Sequence, residues 1–492
     1  MTNNSLASDF NLRTNWFVNR ASAVFPIYFV NKENDLFISF LNYWKIKNNN
    51  DKVILVFRIY NSSGQLKARQ YYSSLKNNNC FSIRSVIKDL KFQGMVDVEV
   101  ISTENLRYPF PAITGIFKSK DYFSSVHSAG RIRGVDEPQT QHETLETNWT
   151  CKFEKNITPF FHYFNGPRYD KPDLKVALHS PEGRKVREVF LNKKEYRPFE
   201  SKIFLIDKLF KKNNFKRNMF ISVKCQNSDV FRRMVVGNLH KKINHLEVTH
   251  SFPWQNKADY CPSTINKVPG AILNLYKNKK LDLKARIFPT NSKGSIRYSV
   301  KLQTESNKKL ELCLTKAKDN FQKKNFGEIF LKGNNLFKVI YLYGNKVPSR
   351  FNTSLVYKVK KKSSFSTDIA TGAKSIVYPK KYSHWGSGVV GLGYDTSIMI
   401  RNNSHDGKSN KAKGTLYIYT HLKDPIKINI SVNEESCKSF FLSTISKKTK
   451  DIVSKNKVTI FTWFVKFDQQ NLEIIWVSYK KSNGCILGDH SF

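Results

Sequence analysis

The chain has 492 residues, 82 Lys+Arg against 39 Asp+Glu and a formal net charge of +43, with 40% hydrophobic and 13% aromatic residues. That length accommodates roughly three to four domains of about 100–150 residues, and the aromatic content excludes the composition of an intrinsically disordered chain. Seven cysteines, odd in number and never spaced C-x-x-C, exclude a disulfide scaffold and a zinc ribbon or finger.

Met1–Asn15 carries no apolar core flanked by basic residues, so no signal peptide is expected. No run approaches the ~18 apolar residues of a membrane span. A cytoplasmic location is therefore the default expectation, with association to a particle or cell surface left open.

Abundant Phe and Tyr favour strands over helices. Residues 1–24 read as a polar lead-in. From Phe25 the pattern is β: Phe25–Val30, Leu36–Leu41, then a hairpin of Lys52–Tyr60 and Gln65–Tyr72 around Asn61-Ser62-Ser63-Gly64. Phe81–Leu90 is ambiguous, with a short helix as one reading. Val96–Val100 alternates as a half-buried strand does, and this first module, 25–134, closes at His127.

The Glu- and Gln-rich stretch that follows, 135–156, reads as a linker. A second module, 157–255, repeats the order of the first. Leu174–His179 and Arg184–Leu191 form the matching hairpin, Lys202–Leu209 mirrors Phe81–Leu90, and Met219–Val223 mirrors Val96–Val100. Val98 precedes His127 by the same interval as Ile221 precedes His250, which points to duplication. A second linker, 256–271, leads to modules at 272–385 and 386–492, with Ser363–Lys374 read as a loop. The expected fold class is all-β, as tandem β-sandwich modules of which the first two are related by duplication.

The endings Val126-His127-Ser128, Thr249-His250-Ser251 and Asp489-His490-Ser491 recur as module markers. Such histidines can bind a ligand or act as general bases. Equivalent residues of tandem modules should lie a domain apart, however, so the expectation is strand-end capping and no shared metal. His240, His245 and His250, spaced by five, converge on neither a helix nor a strand. Gly386-Ser387-Gly388-Val389-Val390-Gly391 matches G-x-G-x-x-G but lacks the strand–helix context of a dinucleotide site, so a flexible connection is the better reading.

Arg131 and Arg133, two apart, would share one side of an extended segment and can fork an anion. Arg232, Arg233 and the nearby Trp254 complete the candidate binding set with His127 and His250; no catalytic residue, metal or cofactor is assigned. The net charge suits a polyanion, although A/T-rich codons would also raise Lys, Asn, Ile, Phe and Tyr together. The expected function is a non-enzymatic binding or structural protein whose basic, aromatic surface meets an anionic glycan, cell-surface polymer or partner protein, with nucleic acid less favoured. The alternative is an enzyme acting on a glycan or other anionic substrate at a module junction.

Overall fold

The structure, a computed structural model, describes residues 19–491 apart from 134–141, 254–259, 263–270, 289–297, 311–327, 331–336, 375–382, 403–410 and stretches of one to four residues elsewhere. The chain is all-β, built of antiparallel sheets that follow one another in tandem.

The first unit contains β1 (Asn19–Val30), β2 (Asn34–Leu41), β3 (Val53–Asn61), β4 (Leu66–Tyr72), β5 (Asn78–Ser82), β6 (Phe92–Ser102), β7 (Ile113–Ser119) and β8 (Tyr122–His127). They form two four-stranded sheets, ordered β1-β6-β3-β4 and β5-β2-β7-β8. The hairpin read from the sequence is β3–β4, paired from Leu55↔Tyr72 to Tyr60↔Leu66. Inward-facing Phe25, Phe40, Phe57 and Val98 fill the space between the sheets, as period-2 alternation requires.

The second unit contains β9 (His142–Thr147), β10 (Ile157–Phe164), β11 (Lys175–His179), β12 (Lys185–Phe190), β13 (Ser201–Leu205), β14 (Phe220–Asn227), β15 (Val235–His240) and β16 (His245–His250). Its sheets run β9-β14-β11-β12, extended beyond β9 by Phe252–Pro253, and β13-β10-β15-β16. The third contains β17 (Ala271–Asn274), β18 (Leu281–Ile287), β19 (Tyr298–Thr304), β20 (Lys309–Leu310), β21 (Glu328–Phe330), β22 (Phe337–Gly344), β23 (Arg350–Val359) and β24 (Thr367–Lys374). Here β20-β19-β22-β17 and β24-β23-β18-β21 join into one eight-stranded sheet through the Ile272↔Lys374 bridge. The fourth contains β25 (Ser383–Val390), β26 (Tyr394–Asn402), β27 (Lys411–Tyr419), β28 (Ile426–Asn433), β29 (Cys437–Phe441), β30 (Thr459–Phe467), β31 (Leu472–Lys480) and β32 (Ile486–His490), ordered β25-β30-β27-β28 and β29-β26-β31-β32. All four units therefore share one strand order: first-sixth-third-fourth and fifth-second-seventh-eighth.

The units lean on one another in sequence. The β13-β10-β15-β16 sheet sends Phe160, Val235, Leu246 and Val248 into the core of the first unit. Ile116 and Phe123 of the first unit enter the core of the fourth. Met399, Ile475, Val477 and Ile486 of the fourth pack on Leu283, Leu355 and Tyr357 of the third. Between third and second, Phe288 packs edge-on against Phe220, and Arg286 Nη2 donates to the carbonyl of Asn218 (2.6 Å). At the centre, β8 packs against β16 and β32, and β24 packs against the same two strands, so the eighth strands of all four units surround one axis. Head-to-tail contacts that close on themselves form a ring rather than an open stack.

Several sequence expectations change. Ser363–Lys374, read as a loop, contains β24; its polar residues bond both to the neighbouring strand, with Thr353 Oγ1 donating to the carbonyl of Thr371 (2.8 Å) and Ser354 bonded to Asp368, and to the adjoining units. The glycines at 386 and 388 lie within β25, not in a flexible connection. A Cβ at Gly386 would lie 2.5 Å from the Trp463 ring, and one at Gly388 2.5 Å from Phe461, so the strand needs glycine to let those rings lie flat on it. The ambiguous Phe81–Leu90 region holds the end of β5 and a 3₁₀ turn over Ile83–Ser85. β9 forms inside the stretch read as a linker.

Candidate metal centre

The eighth strands run level with one another. Phe123 N donates to Cys485 Sγ (3.1 Å), His127 N to Asp489 Oδ2 (2.8 Å), and Thr367 Oγ1 to the carbonyl of Gly488 (3.3 Å). Tyr122 and His245 open β8 and β16, Phe365 and Cys485 come just before β24 and β32, and Tyr122 stacks near Phe365 with ring centroids 4.5 Å apart. Five residues further on, at the other end, the same level holds His127, His250, Ala370 and His490.

The three markers that should have been a domain apart therefore meet. Ring centroids lie 4.5 Å apart for His127–His250, 4.8 Å for His127–His490 and 5.4 Å for His250–His490. The separation expected from tandem modules is overturned because the strands carrying these residues converge on a common axis instead of pointing outward. One ligand atom from each of His127, His250, Asp489 and His490 lies within 4.8 Å of the others.

Each ring is held through Nδ1. His127 Nδ1 lies 2.8 Å from Asp489 Oδ2, His250 Nδ1 lies 2.9 Å from the carbonyl of Ser251, and His490 Nδ1 lies 3.2 Å from the carbonyl of Ser491. A carbonyl oxygen only accepts, so the two carbonyl-bound rings carry their proton on Nδ1. The serine that follows each marker contributes its backbone carbonyl at His250 and His490 and fixes the tautomer. The Nε2 atoms of those rings then face each other at 3.2 Å.

Burial pushes His127 well below the ordinary histidine value, with Arg233 adding to the effect. Burial does the same to His250, helped by His127, Arg233 and His490. The neutral imidazoles are thus the favoured forms. Asp489 is raised by burial, against the pull of His490 and His250 and of the backbone N–H groups of His127 and His490. Its Oδ1 accepts from His490 N (2.8 Å), so one carboxylate clamps two of the three histidine-bearing strands.

Of the sequence-read set, His127, His250 and Arg233 are brought together, Arg233 lying with its guanidinium 4.9 Å from the Phe252 ring, itself 4.9 Å from His250. Arg131 sits on a short ladder with Phe231, and Arg133 follows it one residue beyond Ile132. Arg232 and Trp254 lie outside the described residues. Trp463 is buried in the core of the fourth unit. His240 and His245 do not join His250; His240 Nε2 instead meets Glu247 Oε2 (2.9 Å).

Two features escaped sequence reading. The first is a buried hub on Glu247, whose oxygens accept from Lys152 Nζ (2.7 and 2.8 Å) and from Ser366 Oγ (2.9 Å). Nothing in the spacing of residues 152, 247 and 366 signals it. The second is an open groove of about 650 Å³ on the outer face of the fourth unit, lined by Lys411, Lys413, Tyr417 and Lys466 among others. The i, i+2 spacing of Lys411, Lys413, Thr415 and Tyr417 along one strand was its available signal.

No protein-family model matches the chain, and no curated protein matches it. Among solved structures, a chain titled "Biofilm associated protein - BSP domain" aligns at 7% identity over 96% of this chain and 95% of that one, with a TM-score of 0.16. A superposition that loose carries no argument. Among the described residues, no helix is long and apolar enough to cross a membrane.

Proposed function

We propose that this is a non-enzymatic binding or structural protein whose lysine-rich exterior engages an anionic polymer such as an acidic glycan or cell-surface polymer. The observation that carries this reading is how the fold sorts its charges. Among the described residues, Asp35, Asp97, Glu99, Glu146, Glu247, Asp368, Asp395 and Asp489 are buried, whereas Arg286 and Arg401 are the buried cations. The carboxylates are consumed holding strands together: Arg58 bonds both Asp97 and Glu99, and Ser251 Oγ donates to Glu146 (2.5 Å). A partner within a Debye length of about 8–10 Å meets a surface more cationic than the overall balance implies.

The groove on β27 and β30 is the best-formed expression of this surface. Lys411 and Lys413 flank an outward face that continues to Thr415 and Tyr417, with Lys466 beside Thr415 on the neighbouring strand. Lysines can meet carboxylate or sulfate groups there while the tyrosine offers a flat apolar face to a sugar ring. The repeated strand order supports a scaffold assembled from copies of one module, in which function lies on outer faces. Burial of His127 and Asp489 supports the same reading, because a general base must reach its substrate.

The test is retention of the full chain on immobilised sulfated polysaccharide as salt is raised, compared with a Lys411→Ala/Lys413→Ala/Lys466→Ala variant. Affinity should fall steeply with salt, and the triple variant should bind roughly tenfold or more weakly with an unchanged melting temperature. Salt-independent binding, or no binding at low salt, rejects the proposal.

A further inference from the structure

We infer that His127, His250 and His490 form a binding site for a divalent transition metal of the zinc class, at the point where the first, second and fourth units meet. The inference goes beyond the polymer-binding proposal and does not depend on it.

The argument starts from protonation. With Nδ1–H donated to the Ser251 and Ser491 carbonyls, the Nε2 atoms of His250 and His490 both present lone pairs, 3.2 Å apart. Two lone pairs at that distance repel unless something electrophilic lies between them. Metal–nitrogen bonds of 2.0–2.1 Å at a tetrahedral angle place neighbouring ligand nitrogens about 3.3–3.4 Å apart, so the observed gap is close to what a shared ion requires. His127 belongs to the same arrangement: its Nδ1 is oriented by Asp489 (2.8 Å), the carboxylate–histidine pattern that typically supports a metal-bound imidazole.

Three rings, each held at Nδ1 by a fixed acceptor, leave Nε2 as the ligating nitrogen. All three rings belong to one group whose ligand atoms fall within 4.8 Å. Five residues after Phe365 the third unit carries Ala370, so three histidines are supplied and not four. That set leaves a fourth position for a water, and three imidazoles select zinc-class ions over calcium or magnesium. Asp489 also offsets part of the positive charge that Arg233 brings near the rings. The ion would clasp strands far apart in sequence, joining the last unit to the first two and closing the ring.

The experiment uses the full chain, stripped with a chelator and equilibrated with Zn²⁺. Expected results are uptake of one ion per chain, a higher melting temperature with Zn²⁺ than with chelator, and roughly 100-fold or greater loss of affinity in His490→Ala. His179→Ala, which removes a buried histidine that meets Ser222 Oγ outside the cluster, should bind as the unaltered chain does. Because His490→Ala could misfold, X-ray absorption on the zinc-loaded unaltered chain provides an independent reading. A first shell at 2.0–2.1 Å with imidazole outer-shell scattering is expected. Absence of stoichiometric uptake, equal affinity in a folded His490→Ala variant, or a shell without imidazole overturns the inference.

Discussion

The two ends of the central strand bundle solve the same problem in opposite ways. Both bury polar side chains where units meet, and both use histidines. Around Glu247 the charges are matched: Lys152 bonds both carboxylate oxygens, His240 and Ser366 bond one each, and the carboxylate remains ionised. Burial alone would raise its pKa, but Lys152 and His240 hold it well below the usual carboxylate range. At the opposite end burial keeps His127 and His250 neutral, and the rings of His250 and His490 turn their Nε2 atoms toward each other. One end is a completed ion-pair network; the other gathers one ligand atom from each of three imidazoles and a carboxylate within 4.8 Å of one another. A buried network with every member satisfied contributes rigidity. Preorganised donors aimed at one point are suited to a ligand.

The largest test of this contrast is at the matched end. Glu247→Gln keeps the shape but leaves Lys152, whose side chain is 9% exposed, without its counter-charge. A loss of about 3–5 kcal/mol is expected, read from the denaturant midpoint. Adding Lys152→Met should recover a sizeable part of it, since the two sites share one network. A loss below about 1 kcal/mol for Glu247→Gln would show that the hub is not a completed ion pair.

Acid separates the two kinds of group next. Burial lowers His245, at the start of β16, to about 3, and His179 to about 4. The unfolded chain protonates these rings below about 6.5 while the folded chain refuses the proton, so stability is full above that pH and is lost as pH falls. At pH 5 each ring should cost on the order of 2 kcal/mol. Asp97 and Asp368, both pushed up to about 6 by burial, act with the opposite sign and gain stability between about pH 6 and 4. The clean measurement is therefore a difference. His245→Gln should lose about 2 kcal/mol less than the unaltered chain between pH 7 and 5, and parallel pH curves would contradict the burial of that ring.

Many of the strands were legible, while their order in the sheets and the ring were not. KVILVFRIY and its return strand announce a hairpin through alternation and a turn, and β3–β4 pair accordingly. The eighth strands hide their position because both of their faces are buried. His245-Leu246-Glu247-Val248-Thr249-His250 mixes polar and apolar residues, yet all six are buried. One face belongs to the strand's own unit and the other to its neighbour. Polar residues in such a strand are satisfied by side chains hundreds of positions away, as His127 is by Asp489, and no local pattern encodes that distance. The recurrence of His-Ser was visible; what it meant depended on the closure of four units around an axis.

The smallest effect refines the matched end further. Ser366 Oγ supplies one hydrogen bond from the third unit to Glu247 Oε1, while Lys152 and His240 retain theirs. Ser366→Ala should therefore cost only about 1 kcal/mol, the typical net worth of one hydrogen bond in an otherwise satisfied site. This bond crosses the boundary between the second and third units, where Thr150 N also reaches Asp368. If Ser366→Ala instead costs as much as Glu247→Gln, the third unit is held to the second chiefly through this carboxylate. The two substitutions would then act as one, and a double variant would show far less than the sum of their effects.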